Sequence, residues 1–240
     1  MNQKTVSISK KTSVSITAVD DEINLDEPIW AINWFNLKNA KLYDFYNVLA
    51  FPHLRKAKGR VHFKGYIQEK AKGHEKFDRD MLLIVKYPSA DAFLRMVSNK
   101  LFLLKSVVRI KSVSRFIFGF TKRIGENPTP PSKAARYVGK NQYMAHLFQS
   151  EASMTEELSI LTPLFTQYDI VLYFQGVKAA TISRKDHQGQ EQTQPFFVDG
   201  LLLLEAPSAA AFDRLMEDAT YQTFKSKCSE NNIYHVKRAI

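Results

Sequence analysis

Six histidines, one cysteine and a few charged groups set inside apolar runs are the residues of this 240-residue chain that could do chemistry. The histidines are His53, His62, His74, His146, His187 and His235. None stands in an HxH, HExxH or Cys/His spacing, so no zinc site is evident and no metal is expected. No GxGxxG, Walker-type or GxSxG sequence occurs, which removes the usual signals of nucleotide binding and α/β-hydrolase chemistry. No cofactor is expected.

Two pairs stand out by position. Asn33 lies in IWAINWFNL (29–37) and His146 in YMAHLFQS (143–150), at matching places in two apolar segments. A polar residue inside an apolar strand either faces a cavity or is satisfied by local hydrogen bonds. Facing a cavity, His146 is the candidate general base and Asn33 the group that orients a carbonyl or oxyanion. The commoner case is a pair of hydrogen-bonded residues packed in place. Asp80 and Asp199 each open a hydrophobic strand. In a dry cleft a carboxylate with a raised pKa suits acid–base work, whereas a structural acid is the ordinary reading. Arg109 would anchor an anionic ligand in bidentate fashion, although helix-terminal arginines more often face water. Cys228, with Lys225 and Lys227 its nearest basic neighbours in sequence, reads as a half-buried helix residue and not a nucleophile.

The elements that must position these groups come from a stretch that occurs twice. DMLLIVKYPSADAFLR (80–95) returns as DGLLLLEAPSAAAFDR (199–214), 119 residues later and without a gap. An internal repeat of this length sets the architecture. IWAINWFNL reads as a strand, followed by a helix from Ala40 whose pattern Pro52 should kink or interrupt. RVHFKGYIQ (60–68) is a second strand and 77–87 a third. A helix runs from Ser89 to about Arg109, and RFIFGF (115–120) is the fourth strand. The second copy retraces the order: a strand at 143–150, a helix opened by the capping box Ser153/Glu156, a strand at 170–181, a strand at 196–206, a helix from Ser208 to about Glu230, and IYHVKRAI (233–240). The polar 183–195 segment between two of these strands reads as a mobile loop.

The fold class is therefore α+β, with two fused ferredoxin-like βαββαβ repeats forming a pseudo-dimeric α+β barrel. LLIV (82–85) and LLLL (201–204) lack polar alternation, so both faces of those strands should be buried. The expected domains are a flexible polar N-terminal arm (1–27), repeat 1 (28–124), a proline-rich linker (125–137) and repeat 2 (138–240).

Residues 1–124 hold 23 Lys and Arg against 11 Asp and Glu, while residues 125–240 hold 11 against 13. The first repeat is thus basic and the second nearly neutral. The βαββαβ order is also that of the RNA-recognition motif. FDRDMLLIVKY, however, puts aliphatic residues where that motif needs aromatics for stacking, which argues against nucleic acid as the partner. No run approaches the ~20 apolar residues of a membrane helix, so no membrane partner is expected. One cysteine and the lack of a signal-peptide core point to a reducing, cytoplasmic setting.

INWFNLKNAKLYDFY, AFPHLRKAKGRVHFKG and DMLLIVKYPSADAFLRMVSNKLF together resemble an uncharacterised bacterial family of the dimeric α+β barrel superfamily. The likeness covers about 28–240. The family carries a proline and a G-R pair before strand two, a YPS-type junction, and an aromatic-x6-Arg element late in the second helix. Phe102 and Arg109 stand at that last element. In repeat 2, Tyr221 keeps the aromatic while Cys228 replaces the arginine, so a site that needs the arginine would exist in one half only. The superfamily includes cofactor-free monooxygenases, isomerases, dehalogenases, haem-dependent enzymes and ligand-sensing modules, so fold does not assign activity. The ligand-binding candidates are Asn33, Arg109, Asp80, Asp199 and Tyr221, with His146 as the catalytic one. The expected function is small-molecule binding or sensing in a cleft between or beside two antiparallel sheets. The alternative is a cofactor-free, monooxygenase- or isomerase-like enzyme acting on a small carbonyl or aromatic compound. The partner is then a small-molecule ligand, and exposed strand edges leave room for a homodimer.

Overall fold

The computed structural model describes residues 2–9, 12–125, 142–150 and 155–239. The fold is α+β, with eleven strands and six helices among those residues. The expected linker, apart from Gly125, lies outside them, as does Ser153 of the expected capping box.

Two compact units share the chain. The first comprises Met1–Lys64, Arg79–Lys122 and Lys178–Phe196, and the second comprises Gly65–Asp78, Arg123–Val177 and Phe197–Ile240. These are not the contiguous halves that the repeat suggests. The reason lies in two long strands, β4 (Arg60–Lys72) and β8 (Val171–Lys185), each of which starts in one unit and ends in the other.

In the first unit, β3 (Ile29–Leu37) pairs antiparallel with β5 (Met81–Tyr87) and with β6 (Val113–Arg123). The order is β6-β3-β5-β4. Helices α1 (Ala40–Lys56), α2 (Ala90–Val97) and α3 (Lys100–Ser112) belong to this unit. Its core gathers Phe93, Leu94, Phe102, Phe118 and Phe120. The polar N-terminal stretch is not a loose arm. It forms a hairpin, β1 (Gln3–Ser9) with β2 (Thr12–Ala18), and β2 pairs with the Ala180–Lys185 part of β8. Its alternation explains this, since Val14, Ile16 and Ala18 turn one apolar edge inward and are buried.

In the second unit, β10 (Gly200–Ala206) lies between β7 (Gln142–Gln149) and β8, and β7 pairs with β11 (Glu230–Arg238). The order is β11-β7-β10-β8, and β11 also pairs with the Gly65–Lys72 part of β4. Both units thus order their main strands fourth-first-third-second. Helices α4 (Thr155–Gln167), α5 (Ala209–Glu217) and α6 (Ala219–Ser226) pack Leu158, Leu161, Phe165, Phe212 and Phe224 onto Met144 and Phe148. Leu201–Leu204 are fully buried, so both faces of β10 are covered as their lack of alternation implies, whereas Leu83 of β5 stays partly exposed. Gly200 is required here, because a Cβ would overlap the Phe148 ring.

Three local expectations are revised. The second helix of each repeat is broken in two. Asn99 accepts from the backbone N–H groups of Leu101 and Phe102, and Asp218 accepts from those of Thr220 and Tyr221. Each side chain caps a new helix start in mid-run. Pro52 does not interrupt α1, which continues through it to Lys56. The 183–195 segment is ordered as a hairpin, with β9 (Glu191–Thr193) folded back on β8 around a turn held by the Asp186 carboxylate.

Candidate functional site

Tyr221 and Lys225 are one helical turn apart on α6, so both side chains leave the same face. That face packs on β7 and β11 in the second unit. His146, in the middle of β7, is completely buried, and its ring stands edge-on to Phe148, Tyr221 and Phe224. Its Nδ1 lies 2.8 Å from the Tyr221 hydroxyl and its Nε2 lies 2.9 Å from Oδ1 of Asn231.

The network assigns its own protons. Nδ2 of Asn231 donates to the Lys225 carbonyl at 3.0 Å, which fixes the amide with Oδ1 toward the ring. Oδ1 only accepts, so Nε2 carries the hydrogen. Nδ1 is then a bare lone pair and accepts from the Tyr221 O–H. Burial carries the His146 pKa down to about 3; the Asn231 bond opposes that, and the charges of Lys225 and Lys72 add to it. Burial likewise raises the Tyr221 phenol, and Cys228 adds a little. The pair is neutral across the physiological range. With the hydroxyl hydrogen pointed at His146, the Tyr221 oxygen keeps lone pairs for another donor.

Lys225 is the third member. It is only 5% exposed, and its Nζ lies 5.5 Å from the centre of the Tyr221 ring. Burial lowers its pKa, and the Lys72 charge lowers it further. Among the described residues no carboxylate forms a salt bridge with it.

The first unit has nothing of the kind at the matching positions. Asn33 turns its Nδ2 to the carbonyls of Ala31 and Leu83, 3.2 and 3.3 Å away, within its own sheet. Phe102 stands where the second unit has Tyr221, and it is buried against the His53 ring. Arg109 lies over the Phe116 ring at 4.6 Å, in a stacking contact rather than a bidentate one. Of the residues singled out from sequence, His146 and Tyr221 come together; Asn33, Arg109, Asp80 and Asp199 do not join them.

The two aspartates do the same structural task twice. The Asp80 carboxylate accepts from Leu37 N at 2.8 Å while its own N–H bonds the Phe35 carbonyl. The Asp199 carboxylate accepts from Ser150 N at 3.1 Å while its N–H bonds the Phe148 carbonyl. Each ties off the end of a first strand. Asp80→Ala and Asp199→Ala should each lower stability by about 0.5–2 kcal/mol, read from urea midpoints, because a backbone donor loses its acceptor. Cys228 donates its S–H to the Phe224 carbonyl, and burial, with Glu157 adding, pushes its thiol up to about 11, which leaves it inert as a nucleophile.

A second polar group lies around β7, β10 and β11. Glu205, 2% exposed, sits across the ladder from Tyr143, and Arg238 donates to the Tyr143 hydroxyl at 3.2 Å. Arg238 also lies over the Tyr173 ring at 5.2 Å. Burial foremost, with Arg238 opposing and Glu205 adding, pushes Tyr143 up to about 12. Acid and base balance each other here, which is a structural arrangement.

Lys225 and Asn231 were not legible as site residues in the sequence. The four-residue spacing from Tyr221 to Lys225 was the available signal. Asn231 had none, because only β11 brings it to His146.

No protein-family model matches the chain, and no curated protein matches it. Among solved structures it is similar to a protein of unknown function from Rhodopseudomonas palustris, at 21% identity and a TM-score of 0.40 over 42% of this chain and 85% of that one. It is similar to an anthrone oxidase-like protein, at 10% identity and a TM-score of 0.48 over 92% and 94%. It is also similar to a heme-binding protein from Thermus thermophilus, at 12% identity and a TM-score of 0.46 over 92% and 95%. None of these likenesses bears on function.

Proposed function

We propose that the second unit binds a small organic anion, a carboxylate or an enolate, beside Lys225 and Tyr221. The observation that carries this reading is Lys225, a cation 5% exposed that forms no salt bridge among the described residues. Its ammonium gives up part of its hydration without gaining a counter-charge, and a ligand carboxylate would offset that cost. Tyr221, completely buried with its proton committed to His146, holds the Lys225 stem from beneath and does not itself touch the ligand. His146 is then the acceptor that holds the Tyr221 proton in place, and not the general base. A ring whose pKa is about 3 and whose Nδ1 is engaged has no lone pair to offer a substrate. The reading is one of binding or sensing.

We further propose that the two units are diverged copies of one ferredoxin-like βαββαβ repeat. The repeat at 80–95 and 199–214, the shared strand order and the matched bonding of Asp80 and Asp199 support this. In that case the copies diverged here, the first unit pairing Asn33 with Phe102 and the second His146 with Tyr221.

Benzoate titrated calorimetrically, with benzyl alcohol as the uncharged control, tests the binding reading. Benzoate alone should bind. Lys225→Met should weaken it by about tenfold or more, the value of one charge-assisted hydrogen bond. Equal affinity in wild type and Lys225→Met, or no binding of benzoate at all, would overturn it.

A further inference from the structure

In the first unit α1 and α3 lie antiparallel: His53 meets Phe102, and Lys105 reaches the Leu49 carbonyl and the His53 ring. Their outward faces are unusual. Among the described residues eleven large hydrophobic side chains are exposed, and seven of them are here. They are Phe45, Val48 and Phe51 on α1, and Leu101, Leu104, Val107 and Ile110 on α3. Val48 and Leu104 are each 70% exposed. Spacings of three residues set each group along a ridge that winds slowly around its helix. Seven side chains of this size, about half exposed or more, amount to roughly 600–700 Å² of apolar surface, the upper end of what a soluble monomer shows.

The second unit supplies an internal control. The helices in the matching places, α4 and α6, carry one exposed large hydrophobic, Ile160. Exposure of this kind is therefore not a requirement of the architecture. Charge divides the same way. α1 and α3 hold seven Lys and Arg against one carboxylate, Asp44, which pairs with Lys64. α4 and α6 hold Glu156 and Glu157 against Lys225.

We propose that the α1/α3 face of the first unit docks on an anionic phospholipid surface, with the apolar ridge at the acyl boundary and the lysines at the headgroups. The charge disfavours a second copy of the same face, since two strongly basic surfaces would repel. Five of the seven basic groups are lysines placed among the apolar residues. Lysine is depleted in the cores of protein interfaces but is suited to a headgroup layer, where its stem stays apolar and its ammonium reaches phosphate. The contact is interfacial and needs no spanning segment; no helix among the described residues is long and apolar enough to cross a membrane.

Co-sedimentation of the full chain with phosphatidylcholine vesicles, with and without phosphatidylserine, tests the proposal. The wild type should partition onto the phosphatidylserine vesicles and be released by high salt. Val48→Ser combined with Leu104→Ser should reduce partitioning about tenfold or more, since two buried aliphatic side chains are removed from the contact. Both sites are exposed, so thermal melting should be unchanged. Ile160→Ser should behave as wild type. Failure of the wild type to bind the charged vesicles at low salt would overturn the proposal, and so would equal binding by the double variant. A wild-type dimer that the double variant converts to monomer, with no vesicle binding, would assign the face to self-association instead.

Discussion

His146→Ala is expected to lower the unfolding free energy by about 3–5 kcal/mol, among the largest losses for a single substitution in this chain. Two costs add. A cavity opens between Phe148, Tyr221 and Phe224, which now touch the ring. The Tyr221 hydroxyl and the Asn231 carbonyl oxygen also lose their partner inside the core. Tyr221→Phe alone strands Nδ1 of His146 and should cost about 1–3 kcal/mol. The first unit shows how to avoid both costs, with Asn33 and Phe102 in the same places and the asparagine bonded within its sheet. His146→Asn with Tyr221→Phe should therefore cost less than the sum of the two single changes. Urea denaturation of the four proteins closes this cycle. Strict additivity would show that the pair is not coupled.

Acid should weaken the second unit through the same ring. The His146 pKa falls from the ordinary 6.5 to about 3 in the fold. Between those values the unfolded chain holds a proton that the folded chain refuses, so stability rises with pH across that window. The contribution is complete above about 6.5, is lost by up to about 1.4 kcal/mol per pH unit as pH falls, and is gone below about 3. Carboxylates titrate in part of this range, so the informative quantity is the difference between wild type and the His146→Asn, Tyr221→Phe double variant. That difference should shrink as pH falls from 6.5 to 4. A difference independent of pH would mean that His146 is protonated in the fold.

The repeat, the α+β class and most strand positions could be read from the chain, because aliphatic runs and the proline–serine junction leave strong local signals. The first strand, 29–37, matches β3 residue for residue. What escaped was long-range or depended on a single side chain. The N-terminal segment looks polar by composition, and only its pairing with β8 makes Val14 and Ile16 core residues. Asn99 and Asp218 break helices whose apolar pattern runs on past them, since a cap depends on one carbonyl or carboxylate oxygen and not on periodicity. The long strands β4 and β8 move the unit boundaries, and strand length is weakly coded. At the site, His146 could be found as a polar residue inside an apolar strand, and Tyr221 as the aromatic at the position matching Phe102. Lys225 could not, as lysines on helices are common, and what makes this one different is burial.

The proposed function places an anion beside Lys225 in the second unit. Crystals of the full chain soaked in 4-bromobenzoate test it most directly, since bromine is located by its anomalous signal. One bromine is expected in the second unit beside α6, with the carboxylate about 3 Å from the Lys225 ammonium. Bromine found only elsewhere, or a Lys225 ammonium turned out to solvent with Tyr221 and His146 unchanged, would contradict it.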